Sequence, residues 1–177
     1  MNNQKTLDRF LKTLNLWEKA LTSYAEEDFQ RSPSPDSWSL GQVYQHLIQA
    51  TLNFHLPQIQ ECLRTNEHQA KRKNFKAFLA YHVLDGFPPI KIKVPASKEY
   101  TPLPPKNKQS IAEGLNKLKA AMQTALTSLD APSAKGKTPH PAFAYLNAEE
   151  WYRLIDLHFR HHLRQKKSIE TSLNLSS

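Results

Sequence analysis

Apolar positions recur at offsets of three and four over most of this chain, the spacing of one face of an α-helix. Between about 4 and 30, Leu7, Phe10, Leu11, Leu14, Trp17, Leu21 and Tyr24 keep that spacing and predict one long amphipathic helix. Pro33 and Pro35 then force a connection, because proline excludes the α conformation from the residue before it. Ser39 followed by Gln42 reads as a capping box opening the next helix, whose stripe is Leu40, Val43, Leu47, Ala50 and Phe54. His46 sits on the flank of that stripe, beside Ala50 and Asn53. Pro57 lies inside the same helical run and predicts a kink near Phe54 or two abutting helical pieces, with His55 facing outward.

From Arg64 to about Pro105 the pattern is less regular. Phe75, Phe78, Leu79, His82 and Val83 predict a short helix stopped by Gly86, and the proline-rich run to Pro105 predicts an extended crossover over the surface. Ile90 to Val94 alternates like a strand but has no evident partner, so it is read as extended coil. Helical order returns from about 108 to 129 through Ile111, Leu115, Leu118, Met122, Ala125, Leu126 and Leu129, with Gly114 weakening it slightly. A loop from Asp130 to Ala144 leads to Asn147, a good N-cap for a last helix whose stripe is Trp151, Leu154, Ile155, His158, His162, Gln165 and Ile169. The expected fold is all-α: a four-helix bundle with a long crossover between the second and third long helices, in one domain spanning 1–177.

Composition narrows the classes. Four glycines and an abundance of helix formers agree with the helical pattern. Cys62 is the only cysteine, which excludes an internal disulfide, a Cys-rich zinc site and a CxxC redox centre, and makes a reducing cytoplasm the expected location. No basic partner adjoins Cys62, so it reads as a packed thiol. The N-terminus lacks a secretory pattern and no apolar run has membrane-spanning length, so no membrane association is expected. A net charge of +8 invites nucleic acid, but the lysines and arginines are dispersed and carry no recognisable motif. A solvated basic surface and no specific nucleic-acid partner is the expectation.

The chemistry sits in the last helix. His158 and His162 are one turn apart within an apolar stripe, close enough to bind one metal ion. A histidine on an apolar face is more often a hydrogen-bonded core residue than a ligand; two in one stripe must both be satisfied, and one metal would satisfy both. His161 projects toward the edge of the stripe, so His162 is the better ligand. A third ligand has to come from elsewhere, and His46 supplies it if the second and last helices are neighbours, which periodicity does not establish. Gln165 is placed for a hydrogen bond to His162, and Gln42 and Asn53 read equally as ligand-orienting groups or as a cap and a surface amide. Trp38 and Trp151 read as packing anchors at helix starts, His140 as part of the loop. No side chain stands out as acid or base.

Two stretches resemble a known family. Asp36 to Leu47, with Trp38-Ser39 entering a helix that reaches His46, and His140 to Trp151 running into His158, His162 and Gln165, are similar to the DinB-like (YfiT-like) superfamily of bacterial four-helix-bundle metalloproteins. The resemblance implies a metal, usually zinc or nickel, bound by His46, His158 and His162, with a position open to water or substrate. Family members with known activities use a low-molecular-weight thiol as cosubstrate, as S-transferases or thiol-dependent isomerases, and many others have no assigned reaction. The family has glycine after His-Pro-x-Phe, where this chain has Ala144. Three readings follow: a thiol-dependent S-transferase on a small-molecule substrate, a metal-dependent hydrolase, and a non-catalytic helical binding or stress-response module. Bundles of this kind are commonly dimers, and no stretch of the sequence identifies an interface for a homodimer.

Overall fold

A computed structural model describes residues 2–87, 101–131 and 133–175; the alternating run from Ile90 to Val94 lies outside the described residues. Helix α1 (Asn3–Ser23) starts at Asn2, whose side chain accepts from the Lys5 amide, and buries Leu7, Phe10, Leu14, Trp17 and Leu21. It ends sooner than its periodicity suggests. Tyr24 turns extended and a separate short helix, α2 (Glu26–Gln30), carries Phe29 into the core, where its ring meets Tyr24 and Tyr44.

Helix α3 (Leu40–Ala50) begins with the expected Ser39–Gln42 capping box. It runs without a break into a π-helical turn, Thr51–His55, and then into α4 (Leu56–Arg64), with Pro57 at the first positions of α4. This is the place where two abutting pieces were expected, and the join has a consequence. A π turn adds one residue to the α repeat, which rotates later side chains by about 100°. His55 therefore points inward, only 5 % exposed, and Phe54 is pushed toward solvent at 37 %, the reverse of the expected arrangement.

The short helix α5 (Phe75–Phe78) and a second π turn (Leu79–Val83) also bury a face other than the expected one. Ala77, Ala80 and Tyr81 pack inward, whereas Phe75, Phe78 and Val83 are exposed. The small residues let this segment lie close against the bundle, and Tyr81 donates to the Glu150 carbonyl at 2.8 Å. Asp85, not Gly86, takes the left-handed conformation after it (φ 43°), its carboxylate held by Arg9 and Arg153.

Helix α6 (Lys108–Asp130) is capped by Asn107 and Ser110. Gly114 has a packing role there, since a Cβ at that position would lie 2.8 Å from Ile48 Cδ1 of α3. The crossover returns against α3, with Gln42 Nε2 donating to the Pro102 carbonyl at 2.9 Å and Gln30 Nε2 to that of Pro105 at 3.0 Å.

The expected loop before the last helix holds a small antiparallel hairpin, β1 (Lys137–His140) paired with β2 (Ala144–Asn147). It replaces part of the expected loop and leaves the all-α bundle as expected. Thr138 and Leu146 are buried, and Thr138 Oγ1 accepts from Trp151 Nε1 at 2.8 Å, so the hairpin is fastened to the start of α7. Ala144 adopts φ 63°, a conformation that costs an L-residue about 1–2 kcal/mol and glycine nothing comparable.

Helix α7 (Ala148–Ser172) opens with an Asn147–Glu150 capping box. It packs against α1, α3, α4 and the hairpin, so its buried surface is wider than one stripe and takes in Tyr152, Leu157 and Phe159. Asp156, fully buried, is held by Arg9 Nε at 2.7 Å and Arg160 Nε at 3.1 Å. The rods α1, α3–α4, α6 and α7 form the four-helix bundle, and no described helix is long and apolar enough to cross a membrane.

Candidate metal centre

The packing of α3 on α7 brings His46 to the pair on the last helix. His158 Nε2 lies 3.1 Å from His46 Nε2 and 3.0 Å from His162 Nε2. One ligand atom from each of the three rings falls within 4.8 Å of the others, and these three are the only His, Cys, Asp or Glu side chains that form such a cluster among the described residues. Ligands of a tetrahedral ion at about 2.0–2.1 Å stand roughly 3.3–3.4 Å apart, so the rings need only small adjustments to share one.

The chemistry of the three rings also fits a cation. Burial pushes the His46 pKa down to about 4, and burial together with the neighbouring His46 ring brings that of His162 down to about 3. His158 is held well below the ordinary imidazole range by burial first, then by His162, His55, His46 and His161. All three are neutral at pH 7, the form that offers a lone pair. His162 Nδ1 lies 2.7 Å from Gln165 Oε1, and since a carbonyl oxygen only accepts, Nδ1 carries the proton and Nε2 is left as the donor atom toward the centre. Three neutral nitrogens facing one another at about hydrogen-bond distance have too few protons to satisfy them all. A divalent cation satisfies them together.

The remaining residues singled out in the sequence fall into place around this cluster. His161 turns to Phe87, with ring centroids 5.2 Å apart, and contributes no nitrogen to the group. Trp38, read as a packing anchor, rests against the His46 ring at 5.2 Å. Gln42 is occupied by its cap and by Pro102, and Asn53 is exposed. Cys62 is buried, with Sγ 3.5 Å from Thr138 Oγ1, and burial raises its pKa. His140 Nδ1 accepts from the amides of Ala142 and Phe143, which makes it a hairpin brace.

One neighbour of the cluster, His55, lies inward where its spacing predicts an outward position. His55 is buried against His158, with ring centroids 5.3 Å apart, and against Trp151. The signal available for it was Pro57, a residue that cannot continue the α pattern of hydrogen bonds and so permits a register change just before it.

Comparison with known proteins places the chain. A family model described as DinB superfamily matches residues 9–165. The chain belongs to the DinB superfamily. Among solved structures, YfiT from Bacillus subtilis, described as "a probable metal-dependent hydrolase with an unusual four-helix bundle topology", superposes with a TM-score of 0.65 at 14% identity, covering 98% of this chain and 89% of YfiT. That similarity shows that the two share a fold. No curated protein matches. Within the DinB superfamily this chain carries the bundle, with His46, His158 and His162 gathered in one cluster and Ala144 in the left-handed conformation.

Proposed function

We propose that this protein is a divalent-metal-dependent enzyme acting on a small electrophilic molecule, with His46, His158 and His162 as the metal ligands. The observation that carries this is the convergence of three neutral imidazoles on one point, from helices that are distant in sequence. Zinc and nickel both suit an all-imidazole donor set. A divalent ion held by three neutral ligands keeps its full charge and lowers the pKa of water or of a thiol at an open position.

The chain's own contribution is to present and orient the donors. Burial of the rings keeps them unprotonated, Gln165 holds the proton of His162 on the nitrogen turned away from the centre, and Trp38 limits the swing of His46. The cluster contains no carboxylate to serve as a general base. A coordinated thiol is deprotonated on binding and needs no such base, and S-transfer is our leading reading. Hydrolysis is the second reading, supported by the description of YfiT and by the fact that a three-histidine site can activate water without a protein base.

The test uses tag-free protein loaded with zinc or nickel. Metal analysis is expected to give one ion per chain, abolished when His46, His158 and His162 are all replaced by alanine. Conjugation of 1-chloro-2,4-dinitrobenzene with glutathione or cysteine, set against hydrolysis of p-nitrophenyl acetate without thiol, separates transfer from hydrolysis. Substoichiometric metal after incubation with both ions would sink the proposal. Full metal without turnover of either probe would favour a structural metal in a binding module.

A further inference from the structure

His55 is a buried polar ring for which the centre described above has no use. Its Nδ1 is buried and has no hydrogen-bond partner, and the ring stands edge-on to His158, at 5.3 Å between centroids and 75° between planes. His158 has the matching deficiency, for its Nδ1 is also buried and without a partner. Leaving a buried polar atom unpaired is costly, so two in adjacent rings call for a common explanation.

The two nitrogens are complementary. If His158 gives its Nε2 lone pair to the centre, its proton resides on Nδ1, which then needs an acceptor. His55 is buried with its Nδ1 unpartnered, and a neutral imidazole has one nitrogen free to accept. The other ligand on α7 already shows the pattern, with Gln165 accepting from His162 Nδ1. Metal-bound histidines nearly always donate their second nitrogen in this way, which fixes tautomer and ring orientation.

We infer that His55 is the positioning residue of the centre: it accepts from His158 Nδ1–H, through one bridging water or a small rotation of either ring, and so holds His158 Nε2 toward the ion. The inference rests on the metal-centre reading above. It also gives the π turn Thr51–His55 a purpose, since the extra residue is what turns His55 inward. Such single π turns are frequent at functional sites. Without it, the ring would lie on the outer face, where continued α-helical spacing puts it.

The experiment compares His55→Phe, which keeps a buried ring without a nitrogen, with His55→Asn, whose Oδ1 stands near the place of Nδ1. Zinc affinity is measured by chelator competition, the cobalt form by its visible spectrum, and the His158 tautomer in metal-free protein by long-range nitrogen–proton NMR. His55→Phe is expected to bind zinc about 10–100-fold more weakly, with an altered cobalt spectrum and loss of a single Nδ1–H tautomer, while its metal-free form melts no lower than the parent. His55→Asn is expected to restore affinity to within about threefold. Wild-type-like affinity and spectrum in His55→Phe, or an Asn variant as weak as the Phe variant, would overturn the inference alone. A parent protein that binds no metal would overturn it together with the proposed function.

Discussion

Gln165 Oε1 accepts from His162 Nδ1 at 2.7 Å, within one turn of the same helix. The amide thereby determines which nitrogen of His162 faces His158 and His46. Gln165→Leu keeps the bulk and removes the acceptor, and zinc affinity by chelator competition is expected to fall by about 10–100-fold with the helical spectrum unchanged.

His158 is the ring common to both short contacts of the cluster. His158→Ala is expected to abolish stoichiometric metal binding, whereas His161→Ala, whose ring faces Phe87, is expected to bind one ion normally. Equal metal content in the two variants would contradict the assignment.

The buried histidines make the fold sensitive to acid in a defined window. Folding lowers the pKa of His55 and His162 to about 3 and of His46 to about 4, from an ordinary value of 6.5. Between these values the unfolded chain binds more protons than the folded one, so stability falls as pH falls below about 6.5 and is flat above about 7.5. At pH 5 a fully buried ring such as His55 should forfeit about 2 kcal/mol, roughly 4–8 °C in Tm for a domain of this size. Thermal melts of metal-free protein from pH 8 to pH 5 measure it, and an increase in Tm on acidification would show the sign to be wrong.

Ala144 sits at φ 63° at the first position of β2. Ala144→Gly relieves the left-handed strain of about 1–2 kcal/mol but makes the unfolded chain more flexible, by about 0.4–1 kcal/mol. The net expectation is a gain of about 0–1.6 kcal/mol in urea unfolding, with unchanged metal affinity.

Asp156 is fully buried between Arg9 and Arg160, which keep contact with water. Burial raises its pKa and the two arginines oppose that rise. Removing the carboxylate leaves Arg9 and Arg160 with only the half-exposed Asp85 as counter-charge, so Asp156→Ala is expected to cost about 2–3 kcal/mol in denaturant unfolding, below the 3–5 typical when both partners are buried.

Much of the helical framework was legible in the spacing of side chains. The caps at Ser39–Gln42 and Asn147 and the stripe of α6 all depend on residues a few positions apart, and each appears where the pattern puts it. The α5 segment shows the limit. Phe75 and Phe78 are apolar and correctly spaced, yet Ala77, Ala80 and Tyr81 face the bundle, because close approach of the backbone there favours small residues over large ones.

By itself the sequence determined the helical class, the starts of the major helices and a pair of histidines on one face of the last of them, since those depend on local periodicity and capping. Only the tertiary structure decided that α3 lies against α7, which brings His46 Nε2 to 3.1 Å from His158 Nε2, and that a π turn rotates His55 inward. Helix adjacency and a register shift are chosen by the burial of the whole bundle, where packing between distant segments outweighs the preference of any short stretch.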